Sequence, residues 1–388
     1  WGRARHDGAG PLMEHGGSQP VLSQTEAFAR IRLLRSPNIG PISYRQLIAR
    51  FGTAAAALDA LPDLASRGRG PYRPASADVI EREVVGVRKA GARYLFHDQP
   101  DYPALLAELD SAPPILTCRG RLEIASEPCV AIVGARNASA AAVKLAREFA
   151  SELVAAGFTI VSGLARGIDG AAHEGAFPRT IGVIASGIDI AYPPQHADLQ
   201  ERIAGEGLLV AEQPPGTEPR GRHFPSRNRI IAGLASGTLV VEAAPQSGSL
   251  ITARLAGEAG REVMAIPGSP LDSRSLGCNQ LIRDGAVLVQ SAEEVIELLE
   301  SFTGAPRSRF RVADAGQDFD YAELAHADPA EGAEAIDSLL SSAPVGIDDL
   351  IHQSGASAAA VHLALLELEL AGELARHPGG KVSRAPLA

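Results

Sequence analysis

The chain has 388 residues, of which 45% are hydrophobic and 21% charged, and a formal net charge of −10. This length is enough for two or three domains with a sizeable core, and the composition is that of a soluble globular protein. The sequence has no run of about 18 apolar residues and no apolar signal segment, which excludes a membrane-spanning helix and argues against export. Three cysteines without metal-ligand spacing, Cys118, Cys129 and Cys278, fit a reducing, cytoplasmic location.

The first 100 residues divide into two parts. Residues 1–22 are rich in glycine and polar residues without periodicity, and we expect them to be disordered. Residues 23–100 are expected to form a small helical domain of the helix-hairpin-helix type, with a turn at Pro37–Ser43. Two helices around a glycine-containing turn can hold a nucleic-acid backbone, but a generic helix hairpin explains the same pattern more simply.

Residues 101–302 alternate between short apolar runs and helical stretches. Continuous apolar runs indicate strands buried on both faces, and the helices between them indicate the crossovers of a mainly parallel sheet. This pattern predicts an α/β fold with an extended Rossmann-like, doubly wound sheet. The predicted strands are Cys129–Val133, Phe158–Val161, Thr180–Ala185, Leu208–Ala211, Thr238–Glu242, Glu262–Ile266 and Ala286–Val289. The predicted helices are Ala138–Ala156, Ile168–Ala176, His196–Ala204, Arg229–Leu234, Leu250–Ala259 and Ala292–Leu299.

The C-terminal part is predicted to contain a linker and one further domain. Residues 303–332 have little periodicity and are interpreted as a linker, whereas residues 333–388 have the three helices and small hairpin of a winged-helix domain. No Lys or Arg occurs between Arg311 and Arg376. Reading duplex DNA requires cations that neutralise phosphates, so this domain is interpreted as a protein-contact or regulatory module.

In a doubly wound sheet, ligands bind outside the carboxyl ends of the strands. Small residues, hydroxyls or arginines follow four of the predicted strands. The turn Ser162–Gly170 also opens a helix, so its free amides are expected to form an anion site. The candidate residues on this edge are Gly134, Arg136, Ser162, Gly163, Arg166, Ser186, Gly187, Ser247, Gly248 and Ser249, with Tyr192 and Pro193 following the third strand.

The most informative segment is Pro219–Ile230, which has four arginines and no acidic residue. A basic cluster on an acidic protein marks a site where an anion binds, because the field of the whole chain would repel that anion. The planar fork of arginine suits phosphate oxygens, and Phe224 offers a face on which a base can stack. Phosphate or nucleic acid is therefore the favoured ligand, and a solvated arginine-rich loop is the alternative.

The sequence lacks the common catalytic and metal-binding patterns. It has no G-x-x-x-x-G-K-[ST] loop, no G-x-G-x-x-G spacing and no metal-ligand cluster, so no cofactor is expected. Asp169 and His173 are four residues apart and could support acid–base work, but a helix cap and a packed imidazole are the preferred interpretations. Glu242 ends a buried strand, where it could pair with one of the arginines and hold it in place.

These segments together resemble one family. Ile132–Arg136, Ser162–Asp169, Phe224–Gly233 and Ser247–Leu250 closely resemble motifs of the bacterial DprA/Smf family, the DNA-processing proteins of natural transformation. The resemblance covers roughly residues 96–301 with high specificity. It implies a non-enzymatic protein that binds and protects incoming single-stranded DNA, helps to load the RecA recombinase and forms a homodimer through the Rossmann-like domain.

Residue by residue, the resemblance implies a single-stranded DNA pocket on the edge described above. It adds four residues from the arginine-rich segment, namely Phe224, Arg227, Asn228 and Arg229, and it expects the arginines to contact phosphates. The chain departs from the family pattern at Ala135, Ala185 and Cys278. All three are small substitutions, which remove possible hydrogen bonds without removing the pocket.

Two other functions remain open at this stage. Related Rossmann-like proteins bind or hydrolyse nucleotides, and Ser236–Leu239 followed by Glu242 loosely resembles their Gly-Thr…Glu segment. The arginine-rich segment suits a polymer better than a mononucleotide. A transcription factor that reads DNA through the C-terminal domain is disfavoured by the lack of basic residues there.

Overall fold

A computed structural model describes residues 22–65, 71–300, 333–377 and 379–385 of the chain. The N-terminus expected to be disordered, except Leu22, and the linker expected at 303–332 lie outside the described residues. Within the described ranges, no helix combines the length and the apolar character needed to cross a membrane.

The N-terminal helices begin and end where the sequence supplies caps. Ser23 accepts a hydrogen bond from the Glu26 amide at 3.1 Å at the start of the first helix. Gly52, with φ at 75°, ends the second helix in a backbone conformation that favours glycine. The helices are α1 (Gln24–Leu34), α2 (Pro41–Phe51), α3 (Ala54–Leu64) and α4 (Ala77–Lys89).

The central sheet confirms the predicted doubly wound α/β fold. Its strands are β1 (Arg93–Phe96), β2 (Ile115–Gly120), β3 (Cys129–Val133), β4 (Thr159–Ser162), β5 (Thr180–Gly187), β6 (Leu208–Gln213), β7 (Gly237–Val240), β8 (Glu262–Ala265) and β9 (Val287–Leu288). They lie in the order β1-β2-β6-β5-β4-β3-β7-β8-β9. The strands from β6 to β9 in this row are parallel, whereas β1 and β2 extend the β6 edge in antiparallel fashion. Because β1 pairs with β2, the sheet begins within the range 23–100 that was expected to be helical.

The six predicted helices of this domain are present in the predicted order, and two further helices, α5 (Ala104–Ala107) and α11 (Leu276–Arg283), were not predicted. The six predicted helices are α6 (Ala140–Ala155), α7 (Ile168–Ala176), α8 (Ala197–Glu206), α9 (His223–Leu234), α10 (Gly248–Glu258) and α12 (Ala292–Glu300). Helix α9 begins six residues earlier than the prediction, so residues 223–230, two thirds of the arginine-rich segment, are helical. Pro225 allows this because it lies in the first turn, where the missing N–H would have no helical partner.

The sheet is covered on both faces, as its buried strands require. Side chains of β3 alternate, with Ala131 and Val133 packing into one core and Val130 and Ile132 into the other. The first core also contains residues of α9, α10 and α11, and the second contains residues of α6, α7 and α12. The carboxyl edge of the sheet therefore lies between two layers of helices.

The strand order places a crevice between β3 and β7. The chain proceeds from β3 through β4 and β5 to β6, and then continues on the opposite side of β3 with β7. Connections that leave neighbouring strands in opposite directions open a crevice at the strand ends. Gly134 lies there, and a Cβ at this position would be 2.6 Å from Ile168 Cγ1 and 3.0 Å from the Glu242 carbonyl oxygen. Only glycine fits so close an approach.

The C-terminal residues form the predicted winged-helix domain. Its elements are α13 (Ala333–Leu339), β10 (Val345–Gly346), α14 (Ile347–Ser354), α15 (Ala358–Leu370), β11 (Leu374–His377) and β12 (Lys381–Arg384). The three strands form a sheet in the order β10-β12-β11. Helix α15 occupies the position of a recognition helix.

Helix α15 packs against the N-terminal domain. Leu363, Leu366 and Leu370 share one apolar core with residues of α1, α2 and α3. The Asn38 side chain donates a hydrogen bond to the Leu370 carbonyl at 3.1 Å. Every residue of α15 from Ala359 to Leu368 is buried. The C-terminal domain was interpreted as a protein-contact or regulatory module, and the contact that α15 makes here is with the N-terminal domain of the same chain.

Candidate nucleic-acid interface

Arg227 is an interior residue of the predicted pocket. Its side chain is only 6% exposed, and Nη1 donates hydrogen bonds to the Gly163 carbonyl and, at 3.0 Å, to the Val183 carbonyl. Burial lowers the pKa of Arg227 to about 10, so the guanidinium remains charged at neutral pH. A Cβ at position 163 would lie 2.6 Å from Arg227 Cζ. Gly163 is thus required by the buried arginine, which ties α9 to the residue that follows β4 and to the middle of β5.

The turn after β4 already holds an anion from the chain. Asp169 is buried in the first turn of α7, and its carboxylate accepts a hydrogen bond from the Ala165 amide at 3.3 Å. Burial raises the pKa of Asp169, and the nearby Arg227 opposes this shift. The expectation of free amides in this turn is therefore wrong at Ala165, because the local carboxylate takes the place of a ligand anion.

The polar residues at the strand ends satisfy one another. Ser162 Oγ donates to the Ile132 carbonyl at 2.7 Å, and Ser186 Oγ donates to the Ile190 carbonyl at 2.8 Å. Both serine side chains are buried. The Gly187 amide donates to the Thr217 carbonyl at 2.9 Å. These three predicted site residues hold the edge in shape, and their hydrogen-bonding groups face the protein.

Four further predicted residues, Asn228 and the run 247–249, form a second tie between helices. Asn228 Nδ2 donates to the Gly248 carbonyl at 3.3 Å, which joins α9 to α10. The hydroxyls of Ser247 and Ser249 lie 2.8 Å apart, and Ser247 caps α10. This group lies on the β7 side of the crevice, beside the arginine-rich helix.

Three side chains form a cluster on the surface of this edge, which we call the aromatic–arginine cluster: Arg136, Tyr192 and Phe224. Arg136 is exposed, and its Cζ lies over the Phe224 ring at 5.2 Å from the centroid. The Phe224 and Tyr192 ring centroids are 5.8 Å apart, with the rings tilted by 57°. The fold thus brings together Arg136 and Phe224, two predicted site residues that are distant in sequence, in an arrangement typical of cation–π contacts.

The arginines around the cluster point in two directions. Arg229 is directed inward, where it donates to the Ser111 carbonyl at 2.6 Å and forms an ion pair with Glu212. Arg166, Arg220 and Arg222 are exposed, and their side chains have no hydrogen-bond or ion-pair partner among the described residues. These three guanidinium groups, together with Arg136, are available to an external anion.

Glu242 and His173 have structural partners. Glu242 accepts hydrogen bonds from the Ser139 amide at 2.8 Å and the Ser139 hydroxyl at 2.9 Å, so the prediction that it pairs with an arginine is wrong. His173 is fully buried with Nδ1 2.7 Å from Thr180 Oγ1, and burial lowers its pKa to about 3. Within the described ranges, no group of three or more His, Cys, Asp or Glu residues is arranged to hold a metal.

Sequence reasoning did not assign Tyr192, Arg220 or Arg222 to the pocket. The signals were present, because Tyr192 follows the third predicted strand and both arginines belong to the segment Pro219–Ile230. The position of Tyr192 after the third predicted strand was sufficient reason to include it in the predicted pocket. The outward direction of Arg220 and Arg222, unlike that of Arg227 and Arg229, depends on tertiary contacts.

Models of three protein domains match the chain. The model described as DNA recombination-mediator protein A matches residues 93–300, the DprA-like N-terminal HHH domain matches residues 24–85, and the DprA winged helix domain matches residues 322–380. The helical domain, the sheet and the winged-helix domain of the structure thus each have a counterpart in this family.

Individual relatives agree with these matches. The chain is 35% identical to protein Smf of Synechocystis over 318 residues, which cover 75% of this chain and 80% of the relative. It is 46% identical to DNA processing protein DprA of Streptococcus pneumoniae over 206 residues, covering 51% of this chain and 71% of the relative.

Solved structures agree as well. The X-ray structure of the Streptococcus pneumoniae protein aligns with a TM-score of 0.61 at 35% identity, covering 71% of this chain and 98% of that one. The Helicobacter pylori protein, whose structure describes a single-stranded DNA binding mode, aligns with a TM-score of 0.50 at 30% identity, covering 54% and 97%. By its domains, its relatives and its fold, the chain belongs to the DNA recombination-mediator protein A family, also called DprA/Smf.

Proposed function

We propose that the protein binds single-stranded DNA without catalysing a reaction, protects incoming strands and loads the RecA recombinase during natural transformation. The single-stranded DNA binding mode described for the Helicobacter pylori relative supports the ligand. The observation that carries the proposal is the aromatic–arginine cluster with Arg166, Arg220 and Arg222 around it, on a chain with a net charge of −10. A group of exposed arginines beside aromatic rings suits a flexible polymer of phosphates and bases.

The predicted residues divide into two roles in this proposal. Arg136 and Arg166 contact phosphates, and the outward arginines of the segment Pro219–Ile230 extend the track. Arg227, Asn228 and Arg229 act as positioning residues, because their side chains already bond to the protein. The glycines and serines at the strand ends maintain the shape of the carboxyl edge of the sheet, from which the side chains that contact DNA project.

A homodimer through the central domain is part of the proposal. Leu276 is exposed and lines a groove of 590 Å³ together with Leu250 and Pro270. Leu271, next to Pro270, is 95% exposed. Exposed leucines around a groove are typical of a surface that a second copy covers. Leu271→Asp should therefore shift the protein towards monomer in sedimentation equilibrium, and an unchanged mass would count against this interface.

Loading of RecA and a cytoplasmic location complete the proposal. All three cysteines are buried and unpaired, which supports a reducing compartment. RecA loading is tested by RecA-dependent ATP hydrolysis on single strands coated with a single-strand-binding protein. The protein should shorten the lag of that reaction, and an unchanged lag would contradict this role.

A nucleotide-hydrolysing enzyme has weaker support. Its phosphate would bind in the crevice between β3 and β7, at the N-terminus of α6. The Glu242 carboxylate already accepts both the amide and the hydroxyl of Ser139 at that helix N-terminus. A second anion there would meet a like charge, which disfavours a mononucleotide site.

The proposed function is tested by fluorescence anisotropy with labelled dT oligonucleotides and a duplex of matched length, across a salt series. We expect tighter binding of the single strand, weakening as salt rises because counterions are released. Arg136→Ala should weaken binding. Arg202→Ala is a matched control, because Arg202 also lies over an aromatic ring, Phe177, but is paired with Glu174 of α7 and Glu206 of α8. Equal affinity for duplex and single strand would overturn the proposal.

A further inference from the structure

Tyr192 is an exposed aromatic residue in a protein that has few aromatics. Aromatic residues make up 4% of the chain, and Tyr192 is 41% exposed. Among the large hydrophobic side chains that the described residues leave exposed, it is the one aromatic. Its position in the aromatic–arginine cluster, rather than at random on the surface, indicates a role.

The geometry of the cluster distinguishes Tyr192 from Phe224. The guanidinium of Arg136 lies over the Phe224 ring, and Phe224 is half-buried. A base that stacked on this face of Phe224 would have to displace Arg136. The Tyr192 ring packs beside Phe224 at a tilt and retains much of its surface for solvent. Tyr192 therefore offers the available aromatic face, and Phe224 supports it.

The segment that carries Tyr192 is held in place by both neighbouring elements. The Ile190 carbonyl accepts hydrogen bonds from Ser186 Oγ at 2.8 Å and from Gln200 Nε2 at 3.3 Å. Further along, His196 Nδ1 lies 2.9 Å from the Leu164 carbonyl. A backbone segment held on both sides of Tyr192 loses little conformational entropy when a ligand stacks on the ring, so the site is preorganised.

We propose that Tyr192 is the residue on which an unpaired nucleobase stacks, while Arg136 neutralises the phosphate of the same strand. This inference rests on the proposed function and names its base-contacting residue. Every base has a π face, so stacking on Tyr192 binds single strands without reading their sequence. A base inside a duplex keeps its faces stacked on its neighbours and cannot use the ring in this way.

The test compares Tyr192→Ala with Tyr192→Phe and with Val85→Ala, which removes an exposed apolar side chain on α4. Stacking on one ring implies that Tyr192→Ala raises the Kd for dT oligonucleotides about 5- to 100-fold. Tyr192→Phe and Val85→Ala should remain close to wild type. The salt dependence should be unchanged in Tyr192→Ala, since no phosphate contact is lost, whereas Arg136→Ala should reduce it.

Two further readouts separate stacking from damage to the fold. An oligonucleotide that contains 2-aminopurine should be quenched by the wild type and by Tyr192→Phe but not by Tyr192→Ala. An abasic oligonucleotide should bind wild type and Tyr192→Ala equally. Strong binding with normal quenching in Tyr192→Ala would overturn this inference and leave the proposed function intact. Failure of the wild type to bind dT oligonucleotides would instead overturn the proposed function.

Discussion

Helices α9 and α15 invite comparison, because each is the helix of its domain on which DNA contacts would be expected. Helix α9 carries the half-buried Phe224 in its first turn and has Arg222 exposed at its N-cap. Helix α15 has no Lys or Arg and is enclosed by its own domain and by α2. In this chain, therefore, the central domain presents cations, whereas the winged-helix domain uses the helix in the recognition position for internal packing.

The strongest predicted loss of stability comes from a substitution that disrupts the packing of α15. Leu366→Asp should lower the free energy of unfolding of the terminal domains by about 4 kcal/mol, because it removes a buried side chain and buries a carboxylate without a partner. Hydrogen exchange should show loss of protection in α1–α3 but not in the central sheet. Val85→Asp, on the exposed surface of α4, is the control. Equal loss of protection in both variants would contradict the packing role.

The second effect concerns the interior of the central domain. Arg227→Met should lower the free energy of unfolding by about 3 kcal/mol, because Asp169 then remains buried without its positive neighbour. Urea denaturation measures this loss. Arg136→Ala, at the exposed end of the same site, should change stability by less than about 0.5 kcal/mol. Recovery of stability in the double variant Arg227→Met, Asp169→Asn would sharpen the assignment, and additive losses would argue against it.

The third effect is a dependence on pH. His173 has its pKa lowered from 6.5 to about 3 in the folded protein, because burial disfavours the charged imidazole. The unfolded chain therefore takes up a proton below pH 6.5 that the folded protein refuses until about pH 3, and stability falls as the pH drops through this window. His173→Gln should reduce this fall in urea midpoints measured between pH 7 and pH 4. His352→Gln, which changes an exposed residue of α14, should follow the wild type.

The smallest effect concerns the outward arginines. Arg220→Ala should raise the Kd for single-stranded DNA about 2- to 5-fold and reduce the slope of log K against log salt by about 0.7, as expected for the loss of one phosphate contact. Stability should not change, since the side chain contacts no described residue through a hydrogen bond or ion pair. If the slope of log K against log salt is unchanged in Arg220→Ala, Arg220 does not contact the DNA strand.

The sequence was sufficient to locate the strands from β3 to β8, because strands covered on both faces appear as continuous apolar runs, and it also located the short, partly exposed edge strand β9. Strands β1 and β2 were missed because they lie at the antiparallel edge and outside the alternating pattern. Helix α9 was predicted to begin at Arg229, six residues too late; the additional N-terminal residues include Pro225, which the first turn of a helix tolerates.

The site was predictable in position but not in the direction of its side chains. Small residues at the strand ends indicated the correct edge of the sheet. Arg227 and Arg220 belong to the same basic segment, yet one is buried against the Gly163 carbonyl and the other is exposed. That difference depends on which carbonyls and carboxylates the fold brings close, and no local pattern contains this information.

The contact between α2 and α15 also sets the order in which the protein can mature on the ribosome. In this contact Gln46 Nε2 lies 3.5 Å from His362 Nδ1, although the two residues are 316 positions apart in sequence. A ribosome that adds roughly 5–20 residues per second needs about 15–60 s to make the intervening chain. During that interval the N-terminal helices emerge without their C-terminal partner. Their shared apolar face is therefore completed only after α15 has been synthesised.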